Sequence, residues 1–250
     1  MDLKGRTVLV TGGAIRIGRA ICIALMKAGS NVVVHFNSSE KAALELVEIA
    51  SAHGVKCTLV RGDLSLDGGP EKIVKEAWDK TGGLHALVNN AAVFHKDTLT
   101  TATEKKLEAE LKVNFTAPVV LTREIAALWR GLQLNEGSQR IRGKIVNLLD
   151  RRILGHDPEC LLYALSKKML AEFTESAALE LAPIATVNGV APGAILPPPK
   201  TGTSVRDMAG SIPMGRKCTP EEVADAVIFL LRTDAITGQI LFVDGGQHLH

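Results

Sequence analysis

Closely spaced cysteines, long apolar runs and an excess of one charge are all missing from this chain of 250 residues. Its four cysteines lie far apart in the sequence, and the absence of a CxxC pair excludes a zinc knuckle and a thioredoxin-type site. Lysine plus arginine number 29 and aspartate plus glutamate 27, so the net charge is only +2. A balance this even argues against nucleic acid or an anionic membrane as the main partner.

Two further absences concern the compartment and the chemistry. No stretch of about 18 apolar residues occurs, and the N-terminus lacks the apolar core of a signal peptide, so we expect a cytoplasmic protein without a membrane span. Neither an HExxH metal motif nor a GxSxG nucleophile elbow is present, and we expect no metal. Aromatic residues make up 4% of the chain, and Tyr163 is its single tyrosine.

Short apolar runs, nearly free of charge, alternate with amphipathic stretches along the whole chain. This alternation predicts an α/β fold with a parallel sheet covered by helices on both faces. No linker or repeat divides residues 1–250, so we expect a single doubly wound domain with about seven strands. The predicted strands are 7–10, 31–35, 56–61, 84–89, 144–149, 184–190 and 239–243. The predicted helices are 15–28, 40–53, 70–80, 103–113, 117–135, 160–181 and 220–231.

The first predicted turn from strand to helix is rich in glycine. Glycines at such a turn let the backbone approach a pyrophosphate, and the N-terminus of the following helix points its free N–H groups at the anion. A tight turn with no ligand is the alternative, but the position at the first crossover of a parallel sheet favours the phosphate site. The candidate cofactor-binding residues of this turn are Gly12, Arg16, Ile17 and Gly18.

The end of the second predicted strand indicates which nicotinamide cofactor is used. An acid usually stands there to bind the adenosine ribose of NAD, but the first acid is Glu40, inside the next predicted helix. Arg16 could instead meet a 2′-phosphate, with the hydroxyls of Ser38 and Ser39 opposite. The sequence therefore favours NADP over NAD, although Arg16 could also be a solvated helix residue. His35 and Asn37 belong to the same candidate site.

Four motifs, in this order along the chain, together resemble the short-chain dehydrogenase/reductase family from Lys4 to Gly246. They are Thr11-Gly12 with Gly18, Asn89-Asn90-Ala91, Tyr163 with Lys167, and the segment from Asn188 to Pro192-Gly193. The resemblance implies a Rossmann domain that binds NADPH/NADP and a small-molecule substrate. It also implies a homotetramer built through the two long helices and the C-terminal strand. Further roles near the cofactor are implied for Asp63, Leu64, Asn90, Ala91, Pro192 and Gly193.

Three departures from the common family pattern are similar to one branch, the pteridine reductases. Arg16 replaces the usual middle glycine of the phosphate loop, Asp150 replaces the usual catalytic serine, and Phe94 follows the Asn-Asn-Ala turn. Those enzymes reduce dihydropterins or dihydrofolate with NADPH. The segment from His35 to Ser39 is also similar to theirs, except that Ser38 stands where they often carry a basic residue.

Tyr163 and Lys167 are four residues apart on a predicted helix, so their side chains share a face. A nearby ammonium and the positive ring of an oxidised nicotinamide would stabilise a phenolate and lower the tyrosine pKa. The family implies that Lys167 also binds the nicotinamide ribose, and that Asn114 holds a water in a proton relay through Lys167. An ordinary amphipathic helix is the alternative reading of the spacing.

Asp150 ends the fifth predicted strand, at the edge of the sheet where active sites of this fold class form. A carboxyl there can carry a proton or accept a hydrogen bond from an amino group, as reduction of a C=N bond in a pterin requires. The alternative is a structural pair with Arg151 or Arg152. Phe94 could stack a flat substrate against the nicotinamide, or could belong to the core.

The leading hypothesis is an NADPH-dependent reductase of a pterin or folate-like heterocycle, with Tyr163, Asp150, Lys167 and Asn114 as catalytic residues. Phe94, Asp150 and Tyr163 would bind the substrate, and a loop over about 194–217 would cover it. The alternative is a carbonyl reductase acting on a ketone, quinone or acyl thioester. A third reading, a cofactor-binding sensor without turnover, gives no reason for the Tyr163–Lys167 pair.

Overall fold

Seven parallel strands form one sheet in the computed structural model, which describes residues 1–136, 143–195 and 212–249. The order across the sheet is β3-β2-β1-β4-β5-β6-β7. The predicted α/β fold with a doubly wound parallel sheet is therefore confirmed. The strands are β1 (Thr7–Val10), β2 (Asn31–Phe36), β3 (Cys57–Arg61), β4 (Ala86–Asn89), β5 (Gly143–Leu148), β6 (Ala185–Pro192) and β7 (Ile240–Val243).

Seven α-helices connect and cover these strands in the described ranges. None of them combines the length and apolar character needed to cross a membrane. They are α1 (Arg16–Lys27), α2 (Glu40–Ala52), α3 (Gly69–Thr81), α4 (Glu104–Leu111), α5 (Ala117–Glu136), α6 (Leu161–Leu181) and α7 (Pro220–Arg232).

One helical boundary differs from the sequence prediction. The two helices expected at 103–113 and 117–135 are joined without a break by a π-helical turn, Lys112–Thr116, between α4 and α5. The segment contains no proline or glycine that would end a helix. Asn114, at the centre of this turn, is completely buried.

The two faces of the sheet bury separate cores because side chains alternate along each strand. On β1, Val8 and Val10 pack towards α1, α2 and α7, whereas Leu9 packs towards α3, α5 and α6. Each of these strand residues is completely buried. Strands that are almost free of charge fit this arrangement, because helices cover both faces of the sheet.

The strand order reverses between β1 and β4, which fixes where a ligand can bind. β1 pairs with β2 on one side and with β4 on the other, so the chain leaves β1 and β4 in opposite directions. In open α/β sheets the crevice at such a switch point, beyond the carboxyl ends of the strands, is the usual ligand site. Most of the loop predicted to cover the substrate, 196–211, lies outside the described residues.

Candidate active site

The turn between β1 and α1 is a tight backbone cradle. Gly12 has φ +60, and a Cβ added there would lie 3.0 Å from the Cα of Ala91. A Cβ at Gly18 would lie only 2.2 Å from the carbonyl oxygen of Gly12. Ile15 precedes α1 and offers no side-chain cap, so the first N–H groups of the helix remain available to an anion. The turn therefore fits a bound pyrophosphate.

Arg16 adopts a backbone conformation that explains why glycine is usual at its position. Its φ is +55, in the left-handed region that L side chains rarely occupy. Strain of this kind often marks a functional position, because the surrounding structure must enforce it. The side chain is exposed and lines the cavity described below.

Asn90 ties this turn to the end of β4. Its side-chain amide donates to the carbonyl oxygens of Thr11 (2.8 Å) and Gly12 (3.1 Å). In return, the hydroxyl of Thr11 accepts from the backbone N–H groups of Asn90 and Ala91. These bonds hold together the carboxyl ends of β1 and β4, between which the strand order reverses. Thr11 was not among the predicted site residues.

His35 lies beneath the turn and not in the cavity. Its Nδ1 accepts from the N–H of Gly12 (3.2 Å), and its Nε2 donates to the carbonyl of Gly62 (3.2 Å). The ring is 2% exposed, and burial lowers its pKa from 6.5 to about 4. His35 therefore holds the phosphate loop as a neutral imidazole. The sequence prediction placed it among direct cofactor contacts, but its two ring nitrogens already have protein partners.

The other residues predicted near the adenosine lie just after β2 and β3. Asn37 and Ser38 are exposed, and the carboxylate of Asp63 accepts from the N–H and hydroxyl of Ser65. These bonds lower the pKa of Asp63. Arg61, which the sequence analysis missed, donates from Nε to the carbonyl of Asn37 (3.2 Å). Arg61 thus brings a positive charge next to the segment in which Ser38 replaces the basic residue often found in pteridine reductases.

Ser39 and Leu64 complete this predicted set. Ser39 immediately precedes α2 but makes no side-chain cap there. Leu64 is 7% exposed and borders a smaller cavity of about 250 Å³ on the α3 side.

A cavity of about 650 Å³ opens at the carboxyl ends of β1, β4, β5 and β6. Parallel strands end at a common edge, so motifs far apart in sequence meet there. The predicted site residues that line it are Gly12, Arg16, Ile17, Gly18, Asn90, Ala91, Phe94, Asp150, Tyr163, Lys167, Pro192 and Gly193. His95 and Arg152 also line it and were not among the predicted site residues.

The hydroxyl of Tyr163 donates to Oδ2 of Asp150 at 3.2 Å. α6 carries the tyrosine and the end of β5 carries the carboxylate. The ring is 8% exposed. Burial first, and then the charge of Asp150, raise the pKa of Tyr163 well above its usual value, while Arg152 lowers it. The chain's own groups therefore keep the phenol of Tyr163 protonated.

Lys167 shares the face of Tyr163, as its spacing predicted. Its Nζ donates to the carbonyl of Leu148 (2.7 Å) and lies 6.0 Å from the centroid of the tyrosine ring. Burial lowers the pKa of Lys167 to about 8. In the chain by itself, burial and Asp150 outweigh the lowering effect of Arg152 on the tyrosine pKa, and the lowering expected with an oxidised nicotinamide stays a prediction.

Phe94 packs edge-on against Tyr163, with ring centroids 4.8 Å apart and an interplanar angle of 76°. It is half-buried and lines the cavity. The alternative that Phe94 is an ordinary core residue is therefore wrong.

A buried carboxylate, Glu110, holds the loop that carries Phe94. Glu110 is completely buried in α4, and its Oε1 accepts from the backbone N–H of His95 and contacts the ring Nδ1, each at 2.9 Å. Its Oε2 accepts from the amide of Asn114. Burial raises the pKa of Glu110, and the bonds from His95 oppose that rise. The signal missed in the sequence was an acid four residues before Asn114, on the same helix face.

Asn114 is completely buried and makes hydrogen bonds to several protein groups. Its Oδ1 accepts from the N–H of Val93, and its Nδ2 donates to the carbonyl of Val93 and to Ser166. The residue lies behind the wall of the cavity. The water-holding role that the resemblance implies for it stays a prediction.

Asp150 both lines the cavity and forms an ion pair with a neighbouring arginine, the two alternatives that the sequence left open. Besides accepting from Tyr163, it pairs with Arg152, whose Nη1 lies 3.2 Å from both carboxylate oxygens. Nε of Arg152 contacts Asp157 at 2.6 Å. The acid is therefore at once part of the cavity and part of an ion-pair cluster.

Known proteins are similar to this chain over nearly its whole length. Residues 13–248 match a family model described as Enoyl-(Acyl carrier protein) reductase. The 3-oxoacyl-(acyl-carrier-protein) reductase FabG of Aquifex aeolicus is 34% identical over 253 residues, which cover 99% of each protein.

Two solved structures are similar over nearly the whole chain. FolM alternative dihydrofolate reductase 1 of Brucella canis, complexed with NADP, has 31% identity and a TM-score of 0.88, and the match covers 100% of this chain and 97% of that one. A blue fluorescent protein from a metagenomic library, in complex with NADPH, has 27% identity and a TM-score of 0.88 over 99% of both chains. With the matching sequence motifs and sheet order, these comparisons place the chain in the short-chain dehydrogenase/reductase family.

Proposed function

We propose that this protein is an NADPH-dependent oxidoreductase that reduces a pterin or folate-like heterocycle. The observation that carries the proposal is the hydrogen bond from the single tyrosine, Tyr163, to a carboxylate, Asp150, inside the cavity. The similarity to the Brucella dihydrofolate reductase supports the same substrate class.

The residues of the phosphate loop fit NADPH. A Cβ would clash with the backbone at Gly18 and crowd it at Gly12, and the uncapped start of α1 offers its N–H groups to the pyrophosphate. Arg16, Arg61 and the hydroxyls of Ser38 and Ser39 would contact a 2′-phosphate. When bound, the cofactor supplies the hydride. Lys167, which donates to the carbonyl of Leu148, would bind the nicotinamide ribose, as the family resemblance implies.

The chain's own residues handle the proton. Reduction of a C=N bond adds a hydride to carbon and a proton to nitrogen, so the site must provide an acid. Burial and Asp150 raise the pKa of Tyr163, so its hydroxyl is present as a protonated donor, and the nearby cations Lys167 and Arg152 would stabilise the phenolate left after proton transfer. Asp150, 13% exposed at its side chain, accepts hydrogen bonds and can bind the amino group of a pterin. Phe94 offers a flat apolar surface beside the tyrosine.

A second candidate function is carbonyl reduction of a ketone, quinone or acyl thioester. The 34% identity to the Aquifex 3-oxoacyl-(acyl-carrier-protein) reductase favours it. Asp150 discriminates between the two candidates, because a carbonyl substrate has no amino group for a carboxylate to accept from.

We also propose that the protein is a cytoplasmic homotetramer, the assembly that the family resemblance implies. On α6, Leu165, Met169 and Leu179 are 45%, 41% and 84% exposed, which leaves apolar surface for contact between subunits. Leu170 and Ala178, in contrast, are buried in the core of their own chain.

The test measures loss of NADPH absorbance with dihydrobiopterin, dihydromonapterin and dihydrofolate, beside ketones, a quinone and an acetoacetyl thioester. We expect turnover with a pterin or dihydrofolate, and a loss of about 100- to 10,000-fold in Tyr163→Phe, which lacks the acid. Turnover with carbonyl substrates alone would select the second candidate. Tight NADPH binding without turnover on the whole panel would indicate a sensor.

Asp150→Ser restores the residue usual in the family and sharpens the choice. We expect this variant to lose turnover of pterins, because the carboxylate is gone, while its NADPH affinity stays unchanged. Full pterin activity in Asp150→Ser would remove the carboxylate from the proposed chemistry.

A further inference from the structure

We propose that Arg152 is a positioning residue that fixes the Asp150 carboxylate against the hydroxyl of Tyr163. The inference deepens the proposed function and rests on its assignment of Tyr163 and Asp150 as the pair that handles the proton.

The carboxylate is held by one residue at two points. Asp150 follows β5 in extended conformation and precedes a short 3-10 turn, Arg151–Ile153. Its Oδ1 accepts from the backbone N–H of Arg152 at 2.9 Å, and Nη1 of the same arginine reaches both carboxylate oxygens at 3.2 Å. Two contacts from opposite ends of one residue remove the rotation of the carboxylate, so Oδ2 stays directed at the phenol.

A second acid holds the arginine in turn. Nε of Arg152 contacts Oδ2 of Asp157 at 2.6 Å, while Oδ1 of Asp157 accepts from the N–H of Glu159. The Arg152 side chain is 22% exposed, so water screens these ion pairs less than it screens pairs on the surface. The guanidinium is therefore fixed at the wall of the cavity before any substrate enters.

The charge of Arg152 acts on the phenol as well. Burial and the charge of Asp150 raise the pKa of Tyr163, and Arg152 works in the opposite direction. Without the guanidinium, a single unbalanced carboxylate would face the tyrosine, and the phenolate left after proton donation would be less stable. Arg152 thus offsets the charge of the acid that it also orients.

The neighbouring Arg151 provides a matched control. It belongs to the same turn and has the same charge, but it does not line the cavity, and among the described residues it makes no hydrogen bond to Asp150. A role of Arg152 in merely holding the turn would predict similar effects for the two arginines. A positioning role predicts that only Arg152 influences Tyr163.

The single tyrosine makes a direct test possible. With ¹³Cζ-labelled tyrosine the protein gives one resonance, which reports the hydrogen bond and charge around Tyr163 whether or not a substrate is known. The resonance is recorded for wild type, Arg152→Gln, Arg152→Lys, Arg151→Gln and Asp150→Asn, with and without NADP. Thermal unfolding and NADPH titrations of the same proteins check that they fold and bind.

We expect Arg152→Gln to move the Tyr163 resonance in the same way as Asp150→Asn, whereas Arg151→Gln leaves it in place. Arg152→Lys restores the charge but not the two-oxygen contact, and should recover part of the shift. On the best substrate, kcat of Arg152→Gln should fall about 100-fold, as misplacement of a reacting group does, while KM for NADPH stays within about twofold.

An unmoved resonance in Arg152→Gln, or equal shifts in the two arginine variants, would overturn the inference. If Arg152→Gln does not fold, the comparison of Arg152→Lys with Arg151→Lys decides in the same way. Failure of the proposed function would look different, because wild type would then reduce no pterin while the pattern of resonances persisted.

Discussion

The turn after β1 and the turn after β5 reach the same cavity, but different interactions hold them. The side-chain amide of Asn90, the hydroxyl of Thr11 and a neutral imidazole, His35, fix the first turn. Charged side chains fix the second, through the Asp150–Arg152–Asp157 cluster. The turn after β1, on the cofactor side of the cavity, is thus shaped by backbone geometry that neutral groups hold in place. The turn after β5, on the reaction side, depends on individual charged side chains.

This difference says where changes of specificity can arise. A backbone cradle binds the same pyrophosphate in any member of a family, so it tolerates little change. Charged side chains at a strand end can be exchanged without disturbing the sheet, since they lie beyond its last hydrogen bonds. Function therefore varies at the reaction side while the fold persists.

The largest effect is expected on the cofactor side, from Gly18→Ala. The new Cβ would lie 2.2 Å from the carbonyl oxygen of Gly12 and 2.6 Å from the side-chain amide of Asn90, so the loop must shift. We expect a loss of about 3 kcal/mol of unfolding free energy and at least about 100-fold in NADPH affinity. Thermal unfolding and fluorescence titration measure the two.

Gly131→Ala in α5 is the matched control. A Cβ there meets nothing within 4 Å, so the variant should gain about 0.5–1 kcal/mol through helix propensity. If Gly18→Ala bound NADPH like wild type, the cradle could not have the geometry described above.

The free energy of unfolding should depend on pH through His35, the neutral ring that supports the turn after β1. His35 has a pKa of about 4 in the folded chain against 6.5 when unperturbed, so the unfolded chain binds the proton more readily. The free energy of unfolding therefore falls as pH drops from about 6.5 to about 4, by roughly 3 kcal/mol in total, and is unaffected above this window.

His35→Asn should lose this part of the pH dependence. Urea unfolding between pH 4 and pH 7 measures it as the difference between wild type and variant. His85, whose pKa burial also lowers, is present in both proteins and cancels. A constant difference across the window would show that His35 is not held as a neutral ring.

On the reaction side, Glu110→Ala should cost about 1–3 kcal/mol, because the N–H of His95 and the amide of Asn114 lose their buried acceptor. We expect kcat to fall about tenfold, since the loop carrying Phe94 loosens, with NADPH affinity retained. Glu108→Ala on the same helix removes a 61% exposed acid and should stay within about 0.5 kcal/mol of wild type. Equal losses in the two variants would contradict this role.

The smallest effect is expected from Arg61→Ala. If this exposed cation supports a 2′-phosphate in place of the missing basic residue at Ser38, KM for NADPH should rise about three- to fivefold at low salt. KM for NADH should not change, and Arg130→Ala, which removes an equally exposed arginine between α5 and α6, should affect neither cofactor. A rise with both cofactors would assign Arg61 a purely structural role.

The sequence predicted the sheet well because its strands are short, apolar and almost free of charge. The largest deviations are two residues, at the start of β4 and at the end of β6. The meeting of Tyr163 and Asp150 was expected from the family resemblance, in which Asp150 stands at the position of the usual catalytic serine.

Other parts of the site were not predictable from spacing. The contacts of Glu110 and Arg152 depend on how loops close and on side-chain rotamers, for which a single sequence carries no periodic signal. The inward position of His35 did have a signal. A polar residue within a strand whose faces are both covered must find buried partners.

The π-helical turn between α4 and α5 changes the direction in which the side chains of α5 point relative to those of α4. One additional residue per turn rotates everything beyond it by about 100° relative to an uninterrupted α-helix. α4 can therefore direct Glu110 at the loop after β4 while α5 keeps Leu121 and Ile125 on the sheet. Deleting one residue between 112 and 116 would convert the π-helical turn to α-helix and turn one of these two faces towards solvent.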